Sequence, residues 1–418
     1  MKRECEISSE LPGFKIENKW GIQQELLLRK CVEKGLELDD LLDQIGKTRN
    51  DLRYLLNSKS APVDAYAPKL DDFKKPHHGV PLISLFSGCG GMDLGLEAAG
   101  FHHMALVEHN QLFCETLRHN RPKWRVIGPP TQSGDVSNRE ELFKVLTAAC
   151  ELKVPFDGLL VGGPPCQPFS IAANQRFRKG GDKFKRVGFE HEKNGNLLFD
   201  MLWFISVIKP IAFLIENVEG LYDVDGGEQL QRALNSLSKW GYTVEEPFVL
   251  DAAHFFVPQH RRRIFICGSR LGHALKRPIP SFESIPSEAA IRRSMKGVKN
   301  HEPRCHKAES LLRYMTLNYG QRDKLGRVDR LDPCLPSKTV IAGGTSGGGR
   351  SHLHPSIPRT MTVRESARLQ TFPDDYVFLG PSARQFTQVG NAVPPVLAAQ
   401  LGAAIYSSYF GNKNGEIH

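Results

Sequence analysis

The sequence lacks the features of a membrane or secreted protein. Across its 418 residues, no stretch approaches the roughly 18 consecutive apolar residues that a membrane-spanning helix needs. Residues 1–5 are followed by acidic and polar residues instead of the apolar h-region of a signal peptide. These absences argue against secretion and against a membrane location, and we expect a cytoplasmic protein.

Closely spaced cysteines are also missing. The 9 cysteines are odd in number and widely spaced, and they include no Cys-x-x-Cys pair. This pattern favours reduced thiols over a disulfide framework or a zinc ribbon. His301, Cys305 and His306 have the side-chain types of metal ligands, but no second closely spaced pair accompanies them. We therefore expect no metal site.

Positive charge is in excess and is concentrated in one segment. The chain carries 55 Lys and Arg against 46 Asp and Glu, a net charge of +9. Residues 260–330 hold 17 Lys and Arg against 6 Asp and Glu, so this segment has a surplus of 11 and the remainder is close to neutral. Such clustering favours a surface that meets a polyanion such as nucleic acid. The alternative is a solvated face, although such faces usually mix both signs.

From Val80 onwards, short apolar strands alternate with helical patterns. This alternation predicts an α/β fold with a mainly parallel, doubly wound, Rossmann-like sheet. The predicted strands are residues 81–86, 103–107, 156–161, 211–215 and 263–267.

Changes in composition divide the chain into three predicted parts. Residues 1–79 form a helical extension and linker, residues 80–270 a first domain, and residues 271–358 a smaller, basic domain. A long apolar helix at 393–409 is expected to return to the first domain, which residues 359–418 complete. In the extension we expect a helix capped by Thr48. Helices that meet near Gly46 could form a helix-turn-helix that touches DNA, or could pack on the main domain.

A glycine-rich turn follows the first predicted strand. Gly88, Gly90 and Gly91 would let the backbone approach a ligand at a helix start, where N–H groups are free. Glu108 lies 20 residues beyond Gly88, at the end of the next predicted strand, where an acid binds ribose hydroxyls. Together they predict a site for an adenosine-bearing cofactor.

Two further acids refine the type of cofactor. Asp135 lies in a turn before the next predicted helix, where its carboxylate could accept a hydrogen bond from an adenine amine. Asp93 occupies the position where a dinucleotide-binding fingerprint has its third glycine. This departure favours S-adenosylmethionine over a nicotinamide dinucleotide.

The most informative motif places a cysteine on a stiff turn. Residues 162–170 (GGPPCQPFS) follow an apolar run, and proline fixes φ and has no N–H donor. Cys166 is therefore poorly placed for core packing and well placed for chemistry; the alternative is a buried thiol behind a turn. Glu216 ends another apolar strand, and a buried acid is costly unless it is paired or functional.

Six motifs, taken in order, resemble those of the C5-cytosine DNA methyltransferases of bacterial restriction–modification type. The resemblance runs over residues 81–409, most of the chain, and one departure is Ser84, where many members carry Asp. The motifs are FSGCGG at 86–91, PPCQPFS at 164–170, ENV at 216–218, QHRRR at 259–263, TVRESARLQTFP at 362–373 and GNAVP at 390–394.

The resemblance implies a chemical role for each catalytic motif. Because C5 of cytosine is a poor nucleophile, Cys166 would add to C6, after which C5 can accept the methyl group of S-adenosylmethionine. Glu216 would hydrogen-bond N3 and the exocyclic amine. Arg261 and Arg263 would orient this acid, contact the base and favour the thiolate. The motifs do not identify the base that removes the C5 proton.

The resemblance also implies a cofactor pocket. Phe86 would pack on the adenine, Glu108 would bind the ribose, and Asp135 would accept a hydrogen bond from the adenine amine. The other residues expected there are Gly88, Gly90, Gly91, Val136, Pro165, Leu197, Asn391 and Val393.

The implied partner is double-stranded DNA, from which the target cytosine must be flipped out. Residues 172–195, in which the six Lys and Arg at 176–186 surround Gly180 and Gly181, are expected to close over DNA; the alternative is an irregular surface insertion. The basic domain would recognise the target, and a monomer would suffice because one flipped base needs one pocket. Candidates for DNA contacts are Arg292, Arg304, Arg322 and Arg327.

The implied biological role is protection of host DNA in a restriction–modification system. Three rivals remain: an RNA (tRNA) cytosine-5 methyltransferase, a non-catalytic DNA-binding protein, and a nicotinamide oxidoreductase. The basic second domain favours DNA over RNA, the presence of both Cys166 and Glu216 favours an enzyme, and the glycine pattern disfavours the oxidoreductase.

Overall fold

A central eight-stranded sheet organises the molecule. The computed structural model describes residues 19–55, 65–165, 197–342 and 352–411. The sheet contains β1 (Pro81–Leu85), β2 (His102–Val107), β3 (Val126–Ile127), β4 (Leu159–Gly162), β5 (Ala212–Val218), β6 (Thr243–Val244), β7 (Phe248–Asp251) and β8 (Arg262–Ser269). The order across it is β3-β2-β1-β4-β5-β8-β6, and β7 also pairs with β8.

Strand direction divides this sheet into two parts. The pairs from β3 to β5 are parallel, whereas β8 runs antiparallel to β5, β6 and β7. The prediction of a mainly parallel, doubly wound α/β sheet is therefore confirmed. The antiparallel direction of β8 was not predicted, because an apolar run buries equally well in either direction.

Alternate side chains of each strand enter cores on opposite faces of the sheet. In β1, Leu82 belongs to one core, whereas Ile83 and Leu85 belong to the other. Because both faces are covered, these strands consist of nearly continuous apolar runs.

The helices that the structure describes cover both faces and extend beyond them. On one face, α3 and α12 pack closely, and on the other lie α5, α6 and α7. The helices are α1 (Lys19–Lys34), α2 (Leu38–Asp43), α3 (Gly91–Ala98), α4 (Gln111–Asn120), α5 (Arg139–Cys150), α6 (Leu197–Ile208), α7 (Glu228–Lys239), α8 (Ser287–Ile291), α9 (Ala308–Met315), α10 (Val363–Leu369), α11 (Ser382–Asn391) and α12 (Pro395–Tyr409). No described helix is both long enough and apolar enough to cross a bilayer.

The apolar helix expected at 393–409 is α12, and it packs along α3. A Cβ atom on Gly95 of α3 would lie 2.3 Å from the carbonyl oxygen of Pro395 and 2.5 Å from Cβ of Ala398. Glycine therefore permits the two helices to approach at this point. The contact brings α12 back to the first strand–helix unit.

The helix predicted from Thr48 is wrong in length. The structure has a 3-10 turn, Arg49–Asp51, in which the Thr48 N–H and hydroxyl both donate to the Asp51 carboxylate at 2.8 and 2.9 Å. The capping role of Thr48 is present, but Leu52 is extended after the turn. This places Leu52 and Leu55 in a core that a continuous helix would direct elsewhere.

The helices of the N-terminal extension that the structure describes pack on the basic segment. These helices, α1 and α2, share a small core with α9, and the Leu55 N–H donates to the Met315 carbonyl at 3.0 Å. This partner differs from the main domain that the packing alternative named, and contact of these helices with DNA stays a prediction. The core comprises Leu28, Cys31, Leu38, Leu42, Leu52, Leu55, Leu311 and Met315.

Residues 65–79, part of the predicted linker, pack along the central core. They include one 3-10 turn, Leu70–Phe73, and then bond to the backbone around α3. The Lys75 N–H donates to the Ala98 carbonyl at 2.7 Å, and the His78 ring stacks on Tyr406 with centroids 3.7 Å apart.

A three-stranded sheet lies within the basic segment and its C-terminal flank. It contains β9 (Arg322–Asp323), β10 (Val328–Arg330) and β11 (His352–Leu353). The central strand β10 pairs antiparallel with β9 and parallel with β11.

Candidate active site

The carboxyl ends of β1, β2, β4 and β5 meet at one edge of the central sheet, which we call the catalytic edge. In parallel sheets, ligands bind beyond these strand ends. β1 leads into Phe86 and the glycine turn, β2 into Glu108, and β4 into residues 163–165; Glu216 lies near the end of β5. The fold therefore gathers motifs that lie more than 100 residues apart in sequence.

Backbone donors hold the Glu108 carboxylate at this edge. The Gly88 N–H donates to its Oε2 at 2.8 Å, and the Asn110 N–H donates to Oε1 at 2.7 Å. The Nδ1 atom of His109 lies 3.3 Å from Oε1, and this interaction raises the pKa of His109. Since each carboxylate oxygen can accept a further hydrogen bond, Glu108 can also receive ligand hydroxyls.

A cavity of about 830 Å³ opens beside this carboxylate. Six of the residues expected to bind the cofactor line it: Phe86, Glu108, Asp135, Val136, Pro165 and Leu197. Phe86 adopts φ +58°, which is uncommon for a residue with a side chain. The Asp135 Oδ1 atom accepts hydrogen bonds from the N–H and the hydroxyl of Ser137 at 2.9 and 2.7 Å. The cavity thus combines an aromatic ring, apolar side chains and carboxylates, among them those of Glu108 and Asp135.

The other expected cofactor residues are not part of this lining. Gly90 begins α3 with φ +79°, and Gly91 packs against Val393: a Cβ atom on Gly91 would lie 2.4 Å from the Val393 carbonyl oxygen. Asn391 is exposed, and its carbonyl oxygen accepts a hydrogen bond from Arg261 at 3.3 Å. Gly88 contributes its backbone N–H to Glu108. These residues shape the turn and its packing around the cavity.

An ion pair at the rim of the cavity was not predicted from the sequence. Asp200 is buried in α6, and its Oδ1 atom accepts a hydrogen bond from Arg139 Nε at 2.5 Å. Burial raises the pKa of Asp200, and the Arg139 guanidinium opposes that shift. A signal was available, because Asp200 is an isolated charge in the otherwise apolar sequence of α6. His109, Ser137, Asn138 and Glu140 also line the cavity.

At the end of β5, Glu216 forms an ion pair with Arg263 of β8. Arg263 Nε lies 3.0 Å from Glu216 Oε1, and both side chains are largely buried, with 15% and 12% of their surfaces exposed. The antiparallel pairing of β5 with β8 brings these residues to one edge, since Val218 is opposite Arg263. A charged donor at this distance keeps the carboxylate oriented.

The segment that leads to Cys166 passes close to Glu216. A Cβ atom on Gly163 would lie 3.1 Å from Glu216 Oε2, and the buried Asn217 amide donates to the Pro164 carbonyl at 3.4 Å. Asn217 was noted in the sequence only as part of its motif. Cys166 itself lies outside the described residues, as do residues 172–195.

Arg261 has a different environment from Arg263. It is buried, and its two terminal nitrogens donate to the carbonyls of Val340 and Asn391 at 3.3 Å each. These contacts connect the residue before β8 with Val340 and with the last residue of α11. Arg261 therefore fixes backbone beside the catalytic edge, while Arg263 contacts the acid.

The basic segment contains structural arginines as well as exposed ones. Arg330 is buried, Arg313 pairs with Asp323, and Arg322 pairs with Asp329 while its side chain remains 53% exposed. Arg292, Arg304 and Arg327 are exposed. The charge surplus thus overstates the cationic surface, because sequence counts do not distinguish buried from exposed arginines.

The residue types suggestive of metal ligands at 301–306 have other roles. His301 hydrogen-bonds the Thr362 hydroxyl at 3.0 Å, the buried His306 bonds the Thr360 hydroxyl at 3.1 Å, and Cys305 is exposed. Within the described parts of the chain, no group of three His, Cys, Asp or Glu residues is arranged to hold a metal ion.

Comparison with known proteins identifies relatives across most of the chain. The family model for C-5 cytosine-specific DNA methylase matches residues 80–407. The Type II methyltransferase M.PspPI of Psychrobacter is 33% identical over 359 residues, which cover 79% of this chain and 80% of that protein. M.Eco47II of Escherichia coli, also a Type II methyltransferase, is 33% identical over 366 residues, covering 80% of this chain and 81% of that protein.

Solved structures share the fold at lower identity. A protein encoded within an E. coli prophage has a TM-score of 0.63 at 24% identity and covers 79% of this chain and 99% of its own. The Entamoeba histolytica methyltransferase EhMeth has a TM-score of 0.56 at 15% identity, with the same two coverages.

Proposed function

This chain belongs to the C-5 cytosine-specific DNA methylase family, and from that premise we propose how its residues methylate DNA. It is a DNA (cytosine-5)-methyltransferase of restriction–modification type. The observation that carries the proposed mechanism is the 3.0 Å ion pair of Glu216 with Arg263, beside the backbone that leads to Cys166. We assign Cys166 as the nucleophile and Glu216 as the group that binds the cytosine ring.

The proposed reaction begins with a covalent bond between the Cys166 sulfur and C6 of a flipped cytosine. As this bond forms, electron density moves towards N3, where Glu216 would stabilise the protonated ring. C5 then becomes an enamine-like carbon that takes the methyl group from the sulfonium donor, leaving a neutral thioether. A base, which the motifs do not identify, would take the C5 proton as the C6–sulfur bond breaks, and this restores the aromatic ring and the free thiolate. Arg263 would keep Glu216 oriented throughout, and Asn217 would fix the backbone before the nucleophile.

The residues lining the cavity fit S-adenosylmethionine. Carboxylates suit ribose hydroxyls and an adenine amine, and Glu108 retains accepting capacity after its two backbone bonds. Phe86, Val136 and Leu197 provide apolar surface for a purine. When bound, S-adenosylmethionine supplies an electrophilic methyl group. We propose that Glu108 binds the ribose and that Asp135 accepts from the adenine amine.

Target recognition is assigned to residues 271–358, and flipping of the base is assigned to the enzyme as a whole. The exposed arginines of this segment would contact phosphates and base edges. We propose a protective role in a restriction–modification system, which the similarity to the named relatives supports. We propose that the enzyme acts in the cytoplasm as a monomer.

The test is methyl transfer from labelled S-adenosylmethionine to duplex DNA and to tRNA, in parallel. Incorporation into DNA with none above background into tRNA is expected; preferential labelling of tRNA would support the RNA alternative instead. Bisulfite sequencing of DNA from cells that express the protein should reveal protected cytosines within one short sequence. Unchanged conversion at every cytosine would contradict the proposed activity.

A further inference from the structure

A short, strongly basic hairpin projects from the recognition segment. Residues 322–330 (RDKLGRVDR), here called the basic hairpin, comprise β9, a turn and β10. The Gly326 N–H donates to the Asp323 carboxylate at 2.7 Å and closes the turn. Arg322, Lys324 and Arg327 are exposed, and Leu325 at the tip is 75% exposed. The hairpin therefore presents three cations around an apolar tip.

The fourth basic residue of the hairpin, Arg330, fastens its base. Its side chain is buried, with Nε and one terminal nitrogen donating to the Pro355 carbonyl at 3.0 and 2.9 Å. The other terminal nitrogen donates to the Leu317 carbonyl at 2.7 Å. Its guanidinium carbon lies 3.5 Å from the ring centroid of Tyr54 and 4.0 Å from that of Tyr319. Arg330 is thus enclosed by protein and does not reach out to a ligand.

One wall of this enclosure comes from the N-terminal extension. Tyr54 is buried, and its hydroxyl donates to the His354 carbonyl at 2.8 Å. The next residue, Leu55, belongs to the core that α1 and α2 share with α9. The extension thereby reaches across about 300 residues of sequence to contact both flanks of the basic hairpin.

A second set of contacts connects the hairpin with the catalytic edge. The Asp329 carboxylate lies 3.5 Å from Lys338 Nζ. Next to Lys338 in sequence, the Ser337 N–H donates to the Pro258 carbonyl at 3.0 Å, and the Ser337 carbonyl accepts a hydrogen bond from the His260 N–H at 2.8 Å. His260 is followed by Arg261 and then by β8, which carries Arg263. The orientation of the hairpin is therefore coupled through few contacts to the edge where Glu216 lies.

We propose that the N-terminal extension sets the orientation of the basic hairpin for DNA recognition, with Tyr54 and Arg330 as positioning residues. The inference rests on the proposed recognition role of residues 271–358. A desolvated cation–π contact stabilises one orientation of a guanidinium, and removal of the ring exposes one face of Arg330 to water. The hairpin then samples other orientations, and DNA binds more weakly while the distant cofactor cavity is unaffected.

The experiment compares full-length variants on a duplex that contains the methylated sequence. Tyr54→Ala should raise the KM for DNA by about 10- to 30-fold, the upper value being the full effect of losing a desolvated cation–π contact. Its dissociation constant for S-adenosylmethionine should stay within about twofold of wild type. Tyr54→Phe, which keeps the ring and loses the hydroxyl, should recover most of the affinity. Tyr66→Ala is the matched control, since Tyr66 is an exposed tyrosine that donates to Asp72.

Arg330→Lys provides a second test if Tyr54→Ala does not fold. It retains the charge but loses the planar fork, and it should raise the KM for DNA in the same way. The inference is overturned if these variants match Tyr66→Ala in their KM for DNA. It is also overturned if cofactor affinity falls as much as DNA affinity, since that indicates general damage.

A third variant distinguishes failure of this inference from failure of the proposed recognition role on which it rests. Replacement of Arg322, Lys324 and Arg327 by alanine removes the exposed cations of the hairpin. A raised KM in that variant with an unchanged KM in Tyr54→Ala rejects only the role of the extension. An unchanged KM in the triple variant rejects the hairpin as a recognition element, and the inference with it.

Discussion

Glu216 combines a carboxylate, partial burial and a fixed cationic partner at the end of β5. Arg263 holds one oxygen at 3.0 Å, while Gly163 leaves room beside the other. An aspartate or glutamate in a solvated turn would have none of these constraints. The resemblance implied Glu216 and its orientation by Arg261 and Arg263, but it could not give the geometry of the pair with Arg263, because that depends on the antiparallel register of β5 and β8.

We expect Glu216→Gln to lower kcat by roughly 10²- to 10⁴-fold, the range that positioned acid–base groups contribute. The amide is nearly the same size but cannot carry the charge that stabilises a protonated ring. Binding of S-adenosylmethionine, measured by calorimetry, should change little. Glu219→Gln is the control, because Glu219 also pairs with an arginine, Arg262 at 2.7 Å, yet is exposed. Near-wild-type turnover in Glu216→Gln would contradict the assigned role.

Cys166→Ala should abolish methyl transfer to DNA and leave cofactor affinity nearly intact, since we assign the thiol to the attack on C6 and not to cofactor binding. In wild type, a mechanism-based cytosine analogue placed at the target should trap the protein on DNA, and the variant should give no such adduct. Cys305→Ala removes an exposed thiol elsewhere and should behave as wild type. Full turnover by Cys166→Ala would show that another group attacks C6.

At the scale of elements, periodicity predicted most strands and helices but few of their partners. The strand predicted at 211–215 is present as β5 at Ala212–Val218, and the one predicted at 156–161 begins later, at Leu159. The apolar residues of α1 indicated a buried face, yet nothing in their spacing pointed to α9 as the surface that covers it. Local pattern determines whether a segment buries a face, whereas its partner is chosen by the rest of the fold.

The contact of α3 with α12 allows a test of packing at this scale. Gly95→Ala improves helix propensity by about 1 kcal/mol. The new Cβ atom, however, would lie 2.3 Å from a backbone oxygen and 2.7 Å from the Ala399 nitrogen, and neither atom can rotate away. Because overpacking typically costs about 1–3 kcal/mol, we expect a net loss of about 1 kcal/mol or more in the free energy of unfolding.

Urea unfolding at neutral pH would measure this change. Gly411→Ala is the control, since its Cβ atom would meet nothing closer than the Ser407 oxygen at 3.4 Å. Equal or greater stability of Gly95→Ala would mean that α12 shifts readily relative to α3.

For the molecule as a whole, buried ionisable groups make stability depend on pH. Burial lowers the pKa of both His352 and His354 from 6.5 to about 4. Below pH 6.5 these histidines become protonated in the unfolded chain, whereas in the folded protein they stay neutral until the pH approaches 4. Their contribution to stability is complete above pH 6.5 and is lost as the pH falls towards 4.

Glu365 also makes the folded protein less stable as the pH falls, but over a lower pH range. Burial opposes its ionisation, but hydrogen bonds from Arg359 outweigh that effect and lower the pKa of Glu365 to about 2. Its contribution is present above pH 4.5 and is lost as the pH falls towards 2.

We expect the free energy of unfolding in urea to fall between pH 7 and pH 5 by up to about 2 kcal/mol for each of the two histidines. His352→Gln, which cannot gain a charge, should make this fall smaller. His102→Gln, at an exposed position, should leave the pH dependence unchanged. Equal stability at pH 7 and pH 5 would contradict the assignment of these histidines as neutral and buried.

The sequence by itself determined the class of the fold and the order of the motifs, and it predicted the residues that carry chemistry. These are local properties, because apolar periodicity marks strands and a motif names its own functional groups. Only the tertiary structure decided the geometry of the Arg263–Glu216 pair, the pairing of Asp200 with Arg139, and the packing of the N-terminal helices on α9 of the basic segment. It also decided that Arg330 is enclosed by tyrosines instead of facing solvent. Burial and pairing depend on segments that are distant along the chain, and residue spacing does not encode which of them meet.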